Sequence, residues 1–313
     1  MELLQSLTTT NVVRASSRKR YTQVANQLIS QGHAYFCYCT PEELKQLKTG
    51  QGDTNLAPRY DNRCRNLTEK NIEDFRSQGR VPAIRFKIEE PRLIEWNDGV
   101  RGPIAINSSD LGGDMIIVKS TGRAVYNFAV VIDDLDMEIS HVIRGEEHIN
   151  NTPKQLLLYE ALGKSPPVFA HVALMIDTER RKLSKRFHGE AVHVSKYQKD
   201  GYLPEALLNY LVQMSWTHPE GLEIFSLDEA CRKFDLTRVS KSPAVFDIQR
   251  LNWFNSQYIR NLPLDDIVQR SRAFLSEADL QTYSKDDIKR IVACVREGLT
   301  TLSEIKKATQ FFL

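Results

Sequence analysis

The sequence predicts an α/β fold in three successive regions: a mixed α+β module, part of a parallel sheet, and a run of helices. Three observations predict it. From Ala83 onward Ile84, Phe86 and Ile88 alternate with Arg85, Lys87 and Glu89, the period of a strand with one wet face. Between Ile139 and Ala170 the pattern runs strand, helix, strand, an order that suits part of a parallel nucleotide-binding sheet. After Lys199 the apolar residues recur at helical spacing.

The elements follow in order. Tyr21, Val24, Ala25, Leu28 and Ile29 share one helical face, and Gly32 ends it. Ala34 to Cys39 reads as a short strand. Thr40-Pro41-Glu42-Glu43 opens a helix, with Thr40 as N-cap, Pro41 at the first position and Glu43 closing a capping box. Residues 48–66 are polar and loop-like, and a short helix is expected after Thr68, stopping at Gly79. Asn97-Asp98-Gly99 is a turn signal, and Met115 to Val118 reads as a buried strand. An apolar run, Phe128 to Ile132, precedes Asp133-Asp134. Ile139 to Ile143 is a strand candidate, Thr152-Pro153 opens a helix that Gly163 closes, and Val168 to Ala170 is another strand. Pro204 opens an apolar helix through Leu207, Leu208, Leu211 and Met214. Ser226-Leu227-Asp228-Glu229 is a capping box before a second helix, and Leu251, Trp253, Phe254 and Tyr258 mark a third. Two or three amphipathic helices fill 264–310.

Composition narrows the function classes. The 313 residues suit two or three modules. With 41% hydrophobic and 26% charged residues the chain reads as an ordinary globular protein. No stretch approaches the ~18 apolar residues of a membrane-spanning helix. The net charge of +2 gives no global positive field, so any RNA contact must come from local clusters. Five cysteines, an odd count, suggest a reducing setting rather than a disulfide framework. The first twenty residues hold one acid (Glu2), three arginines and one lysine among many Ser and Thr. That composition resembles an organelle transit peptide. A frayed or non-native leader is the preferred alternative, so the cytoplasm is the expected compartment and an organelle the other one.

The feature richest in chemistry is Arg180-Arg181-Lys182-Leu183-Ser184-Lys185-Arg186, in which five of seven residues are cationic. A basic run is usually a solvated loop. Here Ser184 adds a hydroxyl between two lysines, and His188-Gly189 gives a flexible exit. Such a loop can fold over a triphosphate and stabilise the charge on departing pyrophosphate. No glycine-rich cradle precedes it, so it is not a Walker loop.

Lys182-Leu183-Ser184-Lys185-Arg186 is similar to the KMSKS loop of class I aminoacyl-tRNA synthetases. The stretches Tyr126 to Asp134, His141 to His148, Asn151-Thr152-Pro153, Gly201 to Leu207, and Phe246-Asp247-Ile248 to Trp253 resemble the bacterial-type glutamyl-tRNA synthetases. The resemblance covers about residues 20–310. It implies an incomplete class I Rossmann-type catalytic domain with an inserted α+β module, a helical stem-contact region and the start of a helical anticodon-binding domain. The implied divisions are 1–19 leader, 20–121 inserted acceptor-binding module, 122–186 second half of the Rossmann domain, 187–262 stem-contact region, and 263–313 anticodon-binding start.

The resemblance also implies roles. Tyr126 and Arg144 bind glutamate, Arg144 by offering its fork to a carboxylate; an ion pair with Glu146 or Glu147 is the structural alternative. Glu147 contacts the ATP ribose region, and Met175 holds the adenine through its backbone, although such a methionine is more often core. Lys182, Leu183, Ser184, Lys185 and Arg186 close on the phosphates, with Lys182 and Lys185 the catalytic pair. The implied reaction forms glutamyl-adenylate from ATP and L-glutamate, then loads the 3′ end of tRNA(Glu). Magnesium arrives with ATP, held by its phosphates. A monomer is expected, with no membrane partner.

Two departures weigh on this. The HIGH tetrapeptide of the class is absent from the sequence. The chain therefore resembles a shortened member that begins after the strand–helix unit bearing HIGH and stops within the anticodon-binding helices. A catalytically inactive tRNA-binding fragment is the alternative reading. A relative that modifies a tRNA base lacks the helical anticodon module, and glutaminyl-tRNA synthetase carries a β-barrel there, so both rank lower. Phe187 and Glu190 look like insertions beside the loop. The second departure concerns metal. Cys37, Cys39 and Cys64 match a zinc-binding pattern of some members, but Asn66 stands where a histidine is expected, leaving the fourth ligand missing. His33 or a water is a substitute; buried cysteines without metal are the plain alternative.

Overall fold

The computed structural model describes residues 10–50, 59–89 and 91–310. Residues 1–9 of the expected leader, and 51–58 of the expected polar loop, lie outside that range. The chain divides into two compact units, Met1–His171 and Val172–Leu313, each described by itself.

The first unit opens with α1 (Thr10–Ser30). This helix starts earlier than its apolar face requires, because no glycine or proline interrupts residues 10–30. It buries Val24, Ala25 and Leu28 and ends where Gly32 takes φ 79°, with His33 N–H donating to Leu28 O at 2.9 Å. β1 (Ala34–Cys37) follows, then α2 (Pro41–Gly50) and α3 (Glu69–Ser77). The expected capping box of α2 is formed: Thr40 N–H donates to Glu43 Oε2 at 2.8 Å and Glu43 N–H to Thr40 Oγ1 at 3.2 Å. α3 is boxed by Thr68 and Asn71.

Next come β2 (Ala83–Phe86), the hairpin β3 (Leu93–Asp98) and β4 (Gly102–Asn107), and β5 (Met115–Val118). β1, β2 and β5 form an antiparallel sheet in the order β1–β2–β5. The wet face expected of β2 is dry at Arg85, which is only 6% exposed. The register shifts between Ile84 and Arg85, and the guanidinium lies 3.6 Å from the Tyr60 ring centroid while donating to Asp114 O at 2.6 Å. A cation can be buried when its face is stacked and its N–H groups are paired.

α4 (Tyr126–Asp136), β6 (His141–Gly145), α5 (Thr152–Ala161) and β7 (Val168–Val172) complete the strand–helix–strand part. The apolar run Phe128 to Ile132 is helical, with Phe128, Val131 and Ile132 turned inward. β6 and β7 share a sheet. The core joins Leu28, Phe86, Ile117, Phe128, Leu158 and Phe169.

The second unit is mostly helical. β8 (Met175–Ile176) pairs in parallel with β9 (Ala244–Val245). Between them lie α6 (Lys185–His188), α7 (Val194–Lys199), α8 (Pro204–Gln213) and α9 (Leu227–Lys233). α10 (Ile248–Asn261), α11 (Leu264–Ser271), α12 (Glu277–Thr282), α13 (Lys285–Val295) and α14 (Ile305–Ala308) follow. Leu207 of α8 packs with Tyr210, Leu251 and Phe254, whereas Leu208 faces solvent, because consecutive helical positions diverge by about 100°. Leu203, Ile259, Ile267, Val292 and Ile305 build a second core. Among the described residues no helix is long and apolar enough to cross a membrane.

Candidate active site

In the first unit the strand ends gather polar groups around Arg144. The residue sits on β6, one position before Gly145, and is half-buried. Its Nε donates to His171 Nε2 at 3.1 Å, and its Nη2 to Thr152 Oγ1 at 2.8 Å and Gln155 Oε1 at 2.9 Å. The Phe169 ring lies 5.2 Å from the guanidinium carbon. Burial lowers the Arg144 pKa, opposed by Tyr126, Asp134 and Asp98. Gln155 in turn donates to Asn127 Oδ1 at 3.0 Å.

Tyr126 opens α4 with 55% of its surface exposed, its ring 6.1 Å from that of His148. Glu147 is exposed on the short helix Glu146–Asn151. Its carboxylate folds back over Gly145, where an added Cβ would lie 2.1 Å from Oε2. The ion pair named as the alternative for Arg144 is made by another residue: Arg101 binds the Glu146 carboxylate.

Sequence reading missed what stands behind Arg144. Asp98, read only as part of a turn, is 2% exposed and His171 is fully buried. His171 Nδ1 meets Asp98 Oδ2 at 2.5 Å. Asp98 Oδ1 accepts from the backbone N–H groups of His171, Arg101 and Val100 at 3.0–3.1 Å. Burial pushes the Asp98 carboxyl up, but these donors outweigh it and hold it below its usual value. Burial also holds the His171 imidazole below its usual value despite Asp98.

In the second unit the basic run forms one arm of a tight hairpin that leads into α6. Asp177 N–H donates to Arg181 O at 2.9 Å, Leu183 N–H to Met175 O at 3.0 Å, and Arg180 takes φ 65° at the turn. Met175 is 38% exposed, unlike a core methionine, and its carbonyl already accepts from Leu183. Lys182, Lys185 and Arg186 are exposed, while Leu183 and Ser184 are half-buried. The Ser184 hydroxyl is buried without a hydrogen-bond partner among the described residues.

The expected flexible exit at His188-Gly189 is instead a clamp. His188 Nε2 lies 3.0 Å from Asp177 Oδ2, and its Nδ1 lies 3.2 Å from Ser184 N. Asp177 also accepts from Arg181 N–H at 2.8 Å and Glu179 N–H at 2.9 Å. With His188 as the largest influence, these donors hold the Asp177 carboxyl well below the usual range. The small loop closes on its own carboxylate, which a string of charges does not reveal. Phe187 projects outward, 74% exposed.

A third cluster lies in the first unit. The sulfurs of Cys37, Cys39 and Cys64 lie within 4.8 Å of one another, with Cys39 and Cys64 3.5 Å apart. A tetrahedral zinc with Zn–S near 2.3 Å sets such sulfurs about 3.8 Å apart. The Tyr60 hydroxyl lies 3.5 Å from Cys37 Sγ and 3.7 Å from Cys39 Sγ. It stands where a fourth donor is needed, whereas His33 is exposed at the start of β1 and Asn66 is exposed as well. Arg85 Nε lies 3.2 Å from Cys37 Sγ. Hydrogen bonds from Cys39 and Cys64, with Arg85 adding to them, hold the Cys37 thiol well below its usual range. The donor set fits zinc. The nearness of Tyr60 to the sulfurs was missed because a Tyr-x-x-x-Cys spacing carries no signal by itself.

Comparisons with known proteins bear on these clusters. The family model of the class I tRNA synthetases (E and Q), catalytic domain, matches residues 1–253. A glutamate–tRNA ligase of Synechococcus sp. (strain JA-3-3Ab) is 48% identical over 295 residues, covering 93% of this chain and 61% of its own length. The Aquifex aeolicus glutamate–tRNA ligase is 47% identical over 94% of this chain and 62% of its own length. The chain thus spans about three fifths of the length of these curated relatives. A crystal structure of the glutamate tRNA ligase from Elizabethkingia meningosepticum in complex with its amino acid superposes with a TM-score of 0.85 at 32% identity. That match covers 95% of this chain and 64% of the other. The family model and these relatives agree: the chain belongs to the class I tRNA synthetases of the glutamate and glutamine group, with residues 1–253 matching their catalytic domain.

Proposed function

We propose that the chain acts as a glutamate–tRNA ligase. A glutamate carboxylate oxygen attacks the α-phosphorus of ATP, the bond to the β-phosphate bridging oxygen breaks, and pyrophosphate leaves. The terminal ribose hydroxyl of tRNA(Glu) then takes the glutamyl group and AMP is released. No protein nucleophile is needed, so the residues act by orientation and charge. The observation that carries this reading is Arg144: a guanidinium held from behind by His171, Thr152 and Gln155, beside an exposed Tyr126. With Nε and Nη2 held this way, the Nη1 edge of a fixed guanidinium is what faces a carboxylate.

Glu147 is assigned to the ATP ribose, the Met175 backbone to adenine, and Lys182 to Arg186 to the phosphates, with Lys182 and Lys185 stabilising departing pyrophosphate. The unpartnered Ser184 hydroxyl and the exposed cations around it support that assignment. Magnesium enters on ATP. Residues 20–121 are assigned to the acceptor end of tRNA, 122–186 to catalysis, 187–262 to the stem and 263–313 to the anticodon side, in a monomer working in the cytoplasm.

Zinc is assigned to Cys37, Cys39, Cys64 and Tyr60 as a closed structural site, with Arg85 supporting the Cys37 sulfur. When bound it cross-links β1 to the loop before α3 and takes no part in the reaction. Purified protein should carry stoichiometric zinc by atomic emission, and Cys64→Ser should lose it.

Incubation with labelled L-glutamate, ATP–magnesium and tRNA(Glu) tests the function. Base-labile glutamyl-tRNA is expected, and none with Arg144→Ala. A folded chain that binds tRNA(Glu) but forms no ester supports the second reading, a catalytically inactive tRNA-binding fragment.

A further inference from the structure

We infer that Asp98 and His171 are a positioning pair that aims Arg144 at its ligand, which rests on the reading of Arg144 as a glutamate-binding residue. The geometry divides the labour within one carboxylate. Asp98 Oδ1 serves the backbone, accepting N–H groups from Val100 and Arg101 in the turn after β3 and from His171 in β7. Asp98 Oδ2 serves the imidazole alone, 2.5 Å from His171 Nδ1. A carboxylate is an acceptor, so the ring proton lies on Nδ1.

That choice of tautomer decides what the far side of the ring can do. With Nδ1 protonated, Nε2 of the neutral ring is an acceptor. Arg144 Nε, which can only donate, meets it at 3.1 Å. Thr152 Oγ1 accepts from Arg144 Nη2 at 2.8 Å and lies 3.2 Å from Nε2. Gln155 takes the other Nη2 hydrogen. The chain of donors and acceptors therefore runs in one sense from Asp98 to Arg144, and three N–H groups, one on Nε and two on Nη2, are tied down. Full burial of Asp98 and His171 keeps water from supplying a substitute acceptor. Both are positioning residues, because neither is expected to touch glutamate.

Asp98→Asn separates this role from the structural one. Asparagine keeps Oδ1 for the three backbone N–H groups and puts an NH2 where Oδ2 was. That NH2 donates to Nδ1, the proton moves to Nε2, and an N–H then confronts the Nε–H of Arg144. The experiment pairs long-range 1H–15N spectra of 15N-histidine-labelled chain, assigned with His171→Gln, with calorimetric titrations of L-glutamate and of ATP–magnesium. His171 should carry its proton on Nδ1 in the natural chain and on Nε2 in Asp98→Asn. Glutamate binding should weaken about tenfold to a hundredfold in the variant while ATP binding changes less than twofold. A natural His171 protonated on Nε2 overturns the inference, and so does a folded Asp98→Asn that binds glutamate within twofold of the natural chain. The first of these needs no variant to fold. If the natural chain binds no glutamate, the functional reading falls, and the two tautomer spectra alone decide whether Asp98 sets the ring.

Discussion

Arg144 and the Arg180–Arg186 loop both present positive charge, yet they hold it by opposite means. Arg144 leans on buried neighbours: His171 and Asp98 behind it, Thr152 and Gln155 beside it, and the ring of Phe169, part of the core that holds Phe128 and Leu158. The loop leans on itself. One carboxylate, Asp177, gathers His188, Arg181 and the Glu179 N–H, and Lys182 and Lys185 are exposed. A buried network fixes direction before a ligand arrives, at the cost of burying polar groups. A surface hairpin fixes mainly its backbone and leaves an exposed cation such as Lys185 to be ordered by what it binds. Recognition of one small carboxylate suits the first arrangement, and closing over a charged polyphosphate suits the second.

The largest effect should come from undermining the buried support. Phe128→Ala removes a fully buried ring from the core under α4, and a loss of about 3–5 kcal/mol is expected by chemical denaturation. A loss under about 1 kcal/mol would mean that the Arg144 region does not depend on that core. Next is Lys185→Ala, exposed and outside any core. It should leave the unfolding midpoint unchanged and lower glutamate-dependent ATP–pyrophosphate exchange about 100- to 1000-fold, the range for removing one positioned charge-stabilising donor. Equal losses of stability and rate would erase the contrast between the two regions.

The smallest effect concerns the loop clamp. The Asp177 pKa is depressed in the folded chain, so its contribution is present above the ordinary carboxylate range and is lost as pH falls through the folded value. Amide exchange at Glu179 and Arg181 should therefore show unchanged protection from neutral pH to about pH 5, after correction for the intrinsic rate. Asp177→Ala should speed it several-fold at neutral pH. Protection that fades between pH 7 and 5 would contradict the assignment of the clamp to Asp177.

Local chemistry was readable in the sequence because it is local. The Thr40–Glu43 capping box and the stops at Gly32, Gly79 and Gly163 each depend on residues a few positions apart. So does the charge of the basic run around Ser184, written in seven consecutive letters. The supports were not readable. Asp98 and His171 are 73 positions apart, and Asp98 lies in an Asn-Asp-Gly segment that says only turn. Arg85 alternates with Ile84 and Phe86 as a solvent-facing residue would. Its burial comes from a register shift, the Tyr60 ring and the Asp114 carbonyl, none of which leaves a period in the sequence. His188 was read as an exit because a glycine follows it, while its partner Asp177 lies 11 positions earlier across the hairpin. Periodicity reports which face is apolar; it is silent on which buried polar groups find one another.

The most direct measurement is ATP–pyrophosphate exchange by the purified chain with L-glutamate, with and without tRNA(Glu), beside L-glutamine and L-aspartate as controls. The account predicts exchange that requires glutamate and disappears in Arg144→Ala. A folded chain that binds ATP and shows no exchange with glutamate under either condition would contradict it.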